Sequence, residues 1–428
     1  MNVNQRIPIV LLAAGLVASG AIADNEHYQR YVVGERSGGM GGAAVAGGIG
    51  LDAAYYNPAG LAWATHDSLS MTANLYGFQH YHLDDVLVNG QDLSSDSFVT
   101  IPASAGGIWR LADDYTFAFG VFQPVNDSID EFTGNKTGSS IFSFSSKNQS
   151  IWFGPSVGFR AQTNLSFGAA VYGVYDTSKT SYTRHSGSGL FGGHGEVDTQ
   201  KQDLDCTSVL GLFGAQWLLP DDWRLGLALQ TPSLRVMGHG KLGVSSNEGG
   251  DSFSIYDGDL DGRRDRPMKL ALGIARQKER QYGYGVDVTW HAKDSYKEFD
   301  VDFTEDFSYD FKVHRDSVVD VNLGGEYYIA EKFPVRGGFY TSFSSASGSH
   351  LLDDDNLSND DIDLYGVTFS VGYETENTAI NLGVNFAYGK GDAAGYSTET
   401  DENGMPVSRK TDAEINQLLF TLSTSYYF

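Results

Sequence analysis

The chain ends on a segment with one greasy side. In residues 413–428, Leu418, Phe420, Leu422, Thr424, Tyr426 and Phe428 fall on one side of an extended backbone. Gln417, Thr421, Ser423 and Ser425 fall on the other, because successive side chains of a strand point to opposite faces. A terminal strand with an apolar outer face and a final aromatic has the form of the closing strand of an outer-membrane barrel. That fixes the solvent as hydrocarbon outside and water or cargo inside.

The same two-residue period runs through the rest of the chain. From Ser68 onward there are fourteen strand-like runs: 68–83, 97–111, 115–124, 148–162, 164–183, 203–219, 223–246, 267–277, 282–302, 314–330, 333–350, 361–376, 378–391 and 411–428. In Thr378–Gly391, for example, Ile380, Leu382, Val384 and Phe386 alternate with Asn381, Gly383 and Asn385. The connections alternate in length. Long ones at 84–96, 125–147, 184–202, 247–266, 303–313, 351–360 and 392–410 are separated by tight ones such as Asp113-Asp114, Pro220-Asp221-Asp222 and Glu331-Lys332. Long loops at one end and short turns at the other are the outer-membrane pattern, and an even strand count leaves both termini at the turn end.

A soluble β-sandwich also alternates, but it turns a polar face outward and packs large apolar side chains inside. Here the non-apolar face is mostly Gly, Ala, Ser, Asn and Thr, which suits a filled or narrow lumen. The 52 Gly, 24 Tyr and 25 Phe against 10 Pro fit strands and tight turns. A mean hydropathy of −0.26 is low for a helical membrane protein but ordinary for a barrel whose every second residue faces a wet interior. The expected fold is all-β: a 14-stranded antiparallel transmembrane barrel over residues 67–428.

The first 66 residues differ. Arg6, the apolar stretch Ile7–Ile22 and the small-x-small Ala21-Ile22-Ala23 read as a cleaved signal peptide over 1–23. No later stretch approaches the roughly 20 apolar residues of a spanning helix. Residues 24–66 are rich in glycine and alanine, with no persistent alternation and a turn at Asn57-Pro58. They read as short helical turns compact enough to plug the lumen.

A net charge of −25 argues against nucleic acid, since polyphosphate is repelled. The single cysteine, Cys206, permits no intrachain disulfide and reads as a small packing residue. Asp257-Gly-Asp-Leu-Asp-Gly262 has the opening of an oxygen-rich calcium loop, making Asp257, Asp259 and Asp261 the calcium candidates. The twelfth position is Met268 where a bidentate Glu is needed, and an outer loop with Asp-Gly turns accounts for the same pattern. His80 and His82 share a strand face that suits either a metal or a membrane interface. No other cofactor is expected, and no hydrolase or phosphate-loop signature is present, so the chain does not read as an enzyme.

Gly38-Gly-Met-Gly-Gly-Ala-Ala-Val-Ala46 and Asp52-Ala-Ala-Tyr-Tyr-Asn-Pro-Ala-Gly-Leu61 resemble the N-terminal hatch of the FadL/TodX family of outer-membrane transporters for long-chain fatty acids and other hydrophobic compounds. Gln230-Thr-Pro-Ser233, Arg266-Pro-Met-Lys-Leu-Ala-Leu-Gly273, Leu323-Gly-Gly-Glu-Tyr-Tyr328 and Val335-Arg-Gly-Gly-Phe339 extend the resemblance over essentially all of 34–428. The resemblance implies passive uptake. Solute is caught on outer loops, moves to an interior apolar pocket, and leaves sideways where the third strand kinks opposite the hatch.

Carried onto this chain, the hatch motif is Asn57, Pro58 and Ala59, expected to abut the kink. Gly120 and Pro124 are the lateral-opening candidates. Leu190, Phe191, Phe253, Ile255 and Tyr256 are the capture candidates, with local loop packing as their alternative role. The implied partners are hydrophobic small molecules, outer-membrane lipid with lipopolysaccharide, and the barrel assembly machinery acting through the strand that ends at Phe428. The competing function is a surface-interaction or adhesion barrel with acidic outer loops. Both readings place the chain in the outer membrane of a Gram-negative bacterium.

Overall fold

The computed structural model describes residues 27–84, 92–134, 140–186, 196–248, 251–304, 307–348, 360–400 and 406–428. The proposed signal peptide lies outside the described residues. The strands are β1 (Ser68–Leu83), β2 (Leu93–Ala112), β3 (Tyr115–Gly134), β4 (Ser140–Gln162), β5 (Leu165–Ser186), β6 (Glu196–Leu218), β7 (Trp223–Gln230), β8 (Leu234–Glu248), β9 (Asp251–Asp261), β10 (Lys269–Lys278), β11 (Tyr282–His291), β12 (Asp294–Thr304), β13 (Phe307–Arg315), β14 (Val318–Ile329), β15 (Phe333–Ser342), β16 (Asp360–Glu374), β17 (Thr378–Thr400) and β18 (Pro406–Tyr427).

Fourteen of these close an antiparallel barrel. The circuit runs β1 to β7, then β10, β11 and β14 to β18, and it closes where Ser68 of β1 pairs with Tyr427 of β18. The remaining four strands form two hairpins at the long-loop end. β8 pairs with the outer half of β6 and carries β9, while β12 and β13 form their own two-stranded sheet.

The run at 223–246 is therefore two strands. Pro232 lacks an N–H and has a fixed φ, so the ladder ends and the chain leaves the wall at Thr231-Pro-Ser233. The run at 282–302 likewise divides at Ala292-Lys293. Much of what reads as loop at 125–147, 247–266 and 303–313 is strand projecting beyond the membrane. At the opposite end, Asp221, Asp222, Ala330 and Glu331 hold φ of 60°, 65°, 50° and 61°. Two successive positive φ values make the tight hairpin turns whose twist matches the flanking strands.

The greasy side faces out. Phe420 and Tyr426 are 41% and 54% exposed, whereas Ser423 and Ser425 are buried. Leu382, Phe369, Val286, Leu227 and Phe213 repeat this outward belt on other strands. Among the described residues no helix is long and apolar enough to cross a membrane; the strands make that crossing.

The segment from His27 to Asp67 lies inside the barrel. It holds a one-turn helix (Arg36–Gly39), a helix (Leu51–Tyr56) and a 3₁₀ helix (Pro58–Trp63). Its neighbours are inward-facing positions around the whole circuit, from Gly106 of β2 and Gly226 of β7 to Gly338 of β15 and Ser425 of β18. The small residues of the inner face are the space this segment fills. At Gly41, with φ of 61°, an added Cβ would lie 2.8 Å from the Phe339 backbone.

Candidate functional site

The wall is interrupted between β2 and β3. Their ladder begins at the turn end and stops at Ser104↔Phe122. Beyond that point the outer half of β2 keeps β1 as its ladder partner and the outer half of β3 keeps β4. At the outer rim Ser95 Oγ donates to the Asp130 carbonyl at 2.8 Å.

Each strand is distorted at the break. Between Phe122 and Val125, β3 sets Gln123 and Pro124 against the single Ile151 of β4, which is a bulge. On the other side, β2 slips its register on β1 between Ser104 and Pro102. Pro124 and Pro102 both lack the N–H that a ladder needs. Sequence reading missed Pro102, although a proline inside an apolar strand run is itself a signal. Gly120 sits differently: it pairs with Gly106 on one side and Gly154 on the other, in unbroken ladder. A Cβ there would meet the Phe122 ring at 2.5 Å, so Gly120 gives that ring its room.

The inner segment covers the break with the helix Leu51–Tyr56. Leu51 Cδ1 lies against the Gly106–Gly120 pair. Tyr55 packs on Phe122 and Trp152 with ring centroids 5.3 and 5.5 Å apart, and Phe122 meets Tyr172 edge-on at 5.9 Å. The Tyr172 hydroxyl donates to the Ala54 carbonyl at 2.5 Å. Just beyond the bulge, Arg30 pairs with Asp127 at 3.1 Å and the Tyr31 hydroxyl donates to the Asn126 carbonyl and the Asp127 carboxylate. The aromatic box thus backs directly onto the discontinuity.

Asn57 and Pro58 are not at the break, contrary to expectation. They face β5 and β6, where a Cβ at Gly168 would fall 2.2 Å from the Pro58 carbonyl carbon and one at Gly214 would fall 1.9 Å from Asn57 Oδ1. Asn57 is fully buried. Its Nδ2 donates to the Val45 and Ala215 carbonyls, and its Oδ1 accepts from the Ala59 amide at 3.1 Å. One side chain therefore caps the 3₁₀ helix and ties two parts of the inner segment to the wall. That dual use explains an Asn followed by Pro at the first helical position.

Polar contacts fasten the rest. Asp52 accepts from the Glu35, Arg36 and Ser37 amides, and Asp287 of β11 accepts from the Ala44 and Val45 amides at 2.6 and 2.7 Å. Arg36 and Arg336 share Glu326, and Arg336 also reaches Glu374 and Asn381. Glu35 accepts from Asn381 and from Ser425.

Burial pushes the Glu35 carboxyl up to about 7 from an ordinary 4.5, with Asp52 adding to the rise and the Ser425 bond opposing it. A raised carboxyl favours its protonated form, so docking of this segment is tighter near pH 5 and weakens as pH rises to about 7. We expect amide exchange of residues 34–50, corrected for intrinsic rate, to quicken between pH 5 and pH 8 in the parent and to stay level in Glu35→Gln. A pH dependence that survives the substitution would refute the assignment.

Just outward of the box the lumen is polar, with Asn126, Asp127, Asn148, Ser150 and Asp176 buried beside Arg30 and Arg266; it becomes apolar at the outer strand ends. Tyr81, Leu83, Leu93, Phe142, Phe144 and Ile415 belong to a buried cluster built from the outer strand ends. Beside the box, a cavity of ≈ 50 Å³ is bounded by Tyr28, Tyr55, Trp152, Lys269 and His291 among others. Outside, Ile255 and Tyr256 of β9 line a groove of ≈ 450 Å³ together with Val244, Lys201 and Lys241. Phe253 also lies in β9, while Leu190 and Phe191 fall outside the described residues.

Asp257, Asp259 and Asp261 also lie in β9 or at its end. The ladder bulges at 258–259, and the three carboxylates are not among the described groups whose ligand atoms converge on one centre. Asp257 accepts from the Asp259 amide, and Asp261 is engaged by Arg235.

The comparisons agree with this architecture. The family model described as outer membrane protein transport protein (OMPP1/FadL/TodX) matches residues 10–428. None of the curated proteins compared matches the sequence. Among solved structures, a Pseudomonas aeruginosa FadL homologue shares 15% identity over 94% of this chain and 100% of its own, with a TM-score of 0.68. The P. putida toluene transporter TodX shares 17% over 95% and 99%, with a TM-score of 0.65. The Ralstonia pickettii toluene transporter TbuX shares 17% over 93% and 99%, with a TM-score of 0.65. At these identities the solved structures support the fold, and the family model supplies the membership: this chain belongs to the OMPP1/FadL/TodX family of outer-membrane transport proteins.

Proposed function

We propose that the protein carries small hydrophobic molecules passively across the outer membrane and releases them sideways through the β2–β3 break. The observation that carries this reading is the end of the β2–β3 ladder at Ser104↔Phe122, with a proline on each strand and an aromatic box behind it. A lipid-facing strand with no neighbour leaves backbone groups unpaired, which hydrocarbon tolerates badly unless protein or passing cargo covers them. The groove at Ile255 and Tyr256 would capture solute, with Leu190, Phe191 and Phe253 as further contacts. The apolar cluster at the outer strand ends would hold it next. Long-chain fatty acids and aromatic or alkane hydrocarbons are the substrates that such surfaces suit.

The resting cavity of ≈ 50 Å³ has room for only a few waters. Cargo must therefore displace part of the inner segment, and Tyr55 and Trp152 are the wall that the box and the cavity share. The concentration gradient drives the flow. Residues 1–23 would direct export and be removed, and the β18 terminus at Phe428 would serve barrel assembly in a lipopolysaccharide membrane.

Bridging the break tests the proposal. With Cys206→Ser as background, Ser95→Cys and Asp130→Cys, which meet across the outer rim of the break, are joined by a short bis-maleimide in purified protein. Reconstituted vesicles carrying the bridged form should take up labelled fatty acid or hydrocarbon at least about tenfold more slowly than the unbridged form, an effect of about 1.4 kcal/mol on the barrier. Equal rates would exclude lateral release.

A further inference from the structure

We propose a binding site for one divalent metal ion of the zinc class on the outer surface, at His82, Asp84 and Asp92. The ligand atoms that these three residues offer lie within 4.8 Å of one another. His82 is near the outer end of β1, Asp84 directly follows that strand, and Asp92 directly precedes β2. The site therefore joins both ends of the β1–β2 connection. None of the three belongs to the break, the aromatic box or the β9 groove.

Two further features favour a metal over an incidental cluster. First, His82 is held at both nitrogens: Nδ1 lies 2.5 Å from Ser94 Oγ and Nε2 lies 2.9 Å from Asp84 Oδ1. A neutral imidazole has one proton. With Nδ1–H donating to Ser94, the Nε2 lone pair would ligate the ion and Asp84 would bind it from beside; without metal, Nε2–H donates to Asp84 and Nδ1 accepts from Ser94, so an ion would select the first tautomer. The Ser94 bond to the non-ligating nitrogen would fix the ring, the part that outer-shell partners play for metal-bound histidines. Second, a parallel pair sits alongside. The His80 ring stacks on His82 at 6.3 Å, and His80 Nδ1 lies 2.8 Å from Asp96. Two imidazoles and three carboxylates thus gather on one outward face, just above the lipid-exposed Phe78 and Phe98.

The donor set selects the ion. One imidazole nitrogen and two carboxylate oxygens suit zinc, which takes tetrahedral N and O ligands at about 2.0–2.2 Å and would keep a fourth position for water or an external ligand. Calcium and magnesium prefer oxygen alone. Position gives the ion a mechanical role. The outer half of β2 has only β1 as its ladder neighbour, because β3 has parted from it. A metal holding Asp92 to His82 and Asp84 would pin the loose strand to the wall, and it would do so whether or not the break releases cargo.

Calorimetric titration of tag-free, chelator-treated full-length protein in detergent with zinc chloride tests this. The expected result is one equivalent bound per chain. His82→Ala and Asp84→Asn should each weaken binding about tenfold or more, and Ser94→Ala by a smaller factor, consistent with the 10–100-fold typical of metal-site supports. Millimolar calcium or magnesium should not displace zinc. Amide exchange of β1 and β2 should slow on zinc addition in the parent and not in His82→Ala. Absence of a stoichiometric binding step would overturn the proposal. So would binding unchanged in His82→Ala, or equal displacement by calcium, which would mark an unspecific acidic surface. All three substitutions lie at the exposed rim, and an unchanged thermal transition of the metal-free variants checks that they fold.

Discussion

A Gly168→Val barrel should conduct ions that the parent barrel blocks. A Cβ at Gly168 falls 2.2 Å from the Pro58 carbonyl carbon and 2.3 Å from the Ala59 amide nitrogen. Both are backbone atoms of a turn that Asn57 fixes by three hydrogen bonds, so no side chain can swing aside. Overpacking costs about 1–3 kcal/mol where side chains give way, and occasionally more. Here the backbone must give, so docking should weaken by at least about 3 kcal/mol, roughly a hundredfold in the docked-to-undocked ratio. Planar-bilayer conductance should rise steeply, and trypsin should cleave at Arg36 in the variant while sparing the parent. Gly325→Ala is the control, since its added Cβ meets nothing within 4 Å. If Gly168→Val stays as closed and as protease-resistant as Gly325→Ala, the inner segment is not what seals the lumen.

The same glycines show why the barrel was readable and the site less so. Alternation needs only the residue and its neighbours, so Leu382 and Phe386 declare a lipid face without knowledge of the partner strand. Strand number follows from counting such runs, and fourteen runs became fourteen wall strands. Errors arose where period two continues past the membrane. Val125–Gly134 and Ile141–Lys147 read as loop because outward residues such as Asp130, Ser145 and Lys147 are polar, yet a hairpin in water still pairs its backbone. Conversely, Leu234 and Val236 extended an apolar run through Pro232 and hid the point where the chain leaves the wall.

The site depends on contacts distant in sequence. Nothing local tells that Asn57 faces Gly214 rather than Pro124, or that Tyr55 meets Phe122 and Trp152. Pro124 was a usable local signal because a missing N–H acts at its own position. Gly120 was not, since a glycine in a sheet either loosens it or makes room for a ring, and only the structure shows the Phe122 ring beside it. The ligand atoms of His82, Asp84 and Asp92 converge only when both ends of one connection return to the same rim. His80 and His82 alone marked the face.

Arg336→Met should be among the most destabilising single substitutions in the barrel wall. Its guanidinium is about 1% exposed and spans three acceptors: Glu326 at 2.5 Å, Asn381 at 2.5 Å and Glu374 at 2.7 Å. Methionine keeps much of the volume, so the loss is electrostatic. Glu326 would retain Arg36 at 3.0 Å, but Glu374 would keep only the Tyr328 hydroxyl. Removing one partner of a buried ion pair costs about 3–5 kcal/mol, because a desolvated charge is stranded. The unfolding midpoint in denaturant, read by the mobility shift of heated against unheated barrel, should fall accordingly. Arg336→Lys should recover only part of the loss, since an ammonium cannot fork to three planar acceptors. Adding Glu374→Gln to Arg336→Met should recover part by removing the stranded charge. Lys390, whose carboxylate partners Asp412 and Glu414 are solvated, supplies the contrast: Lys390→Met should leave the midpoint where it was. Were the two methionine variants to unfold together, the Arg336 network would be as inconsequential as a surface pair, and the polar fastening of the inner segment would fall to Asp287, Asn57 and Tyr31.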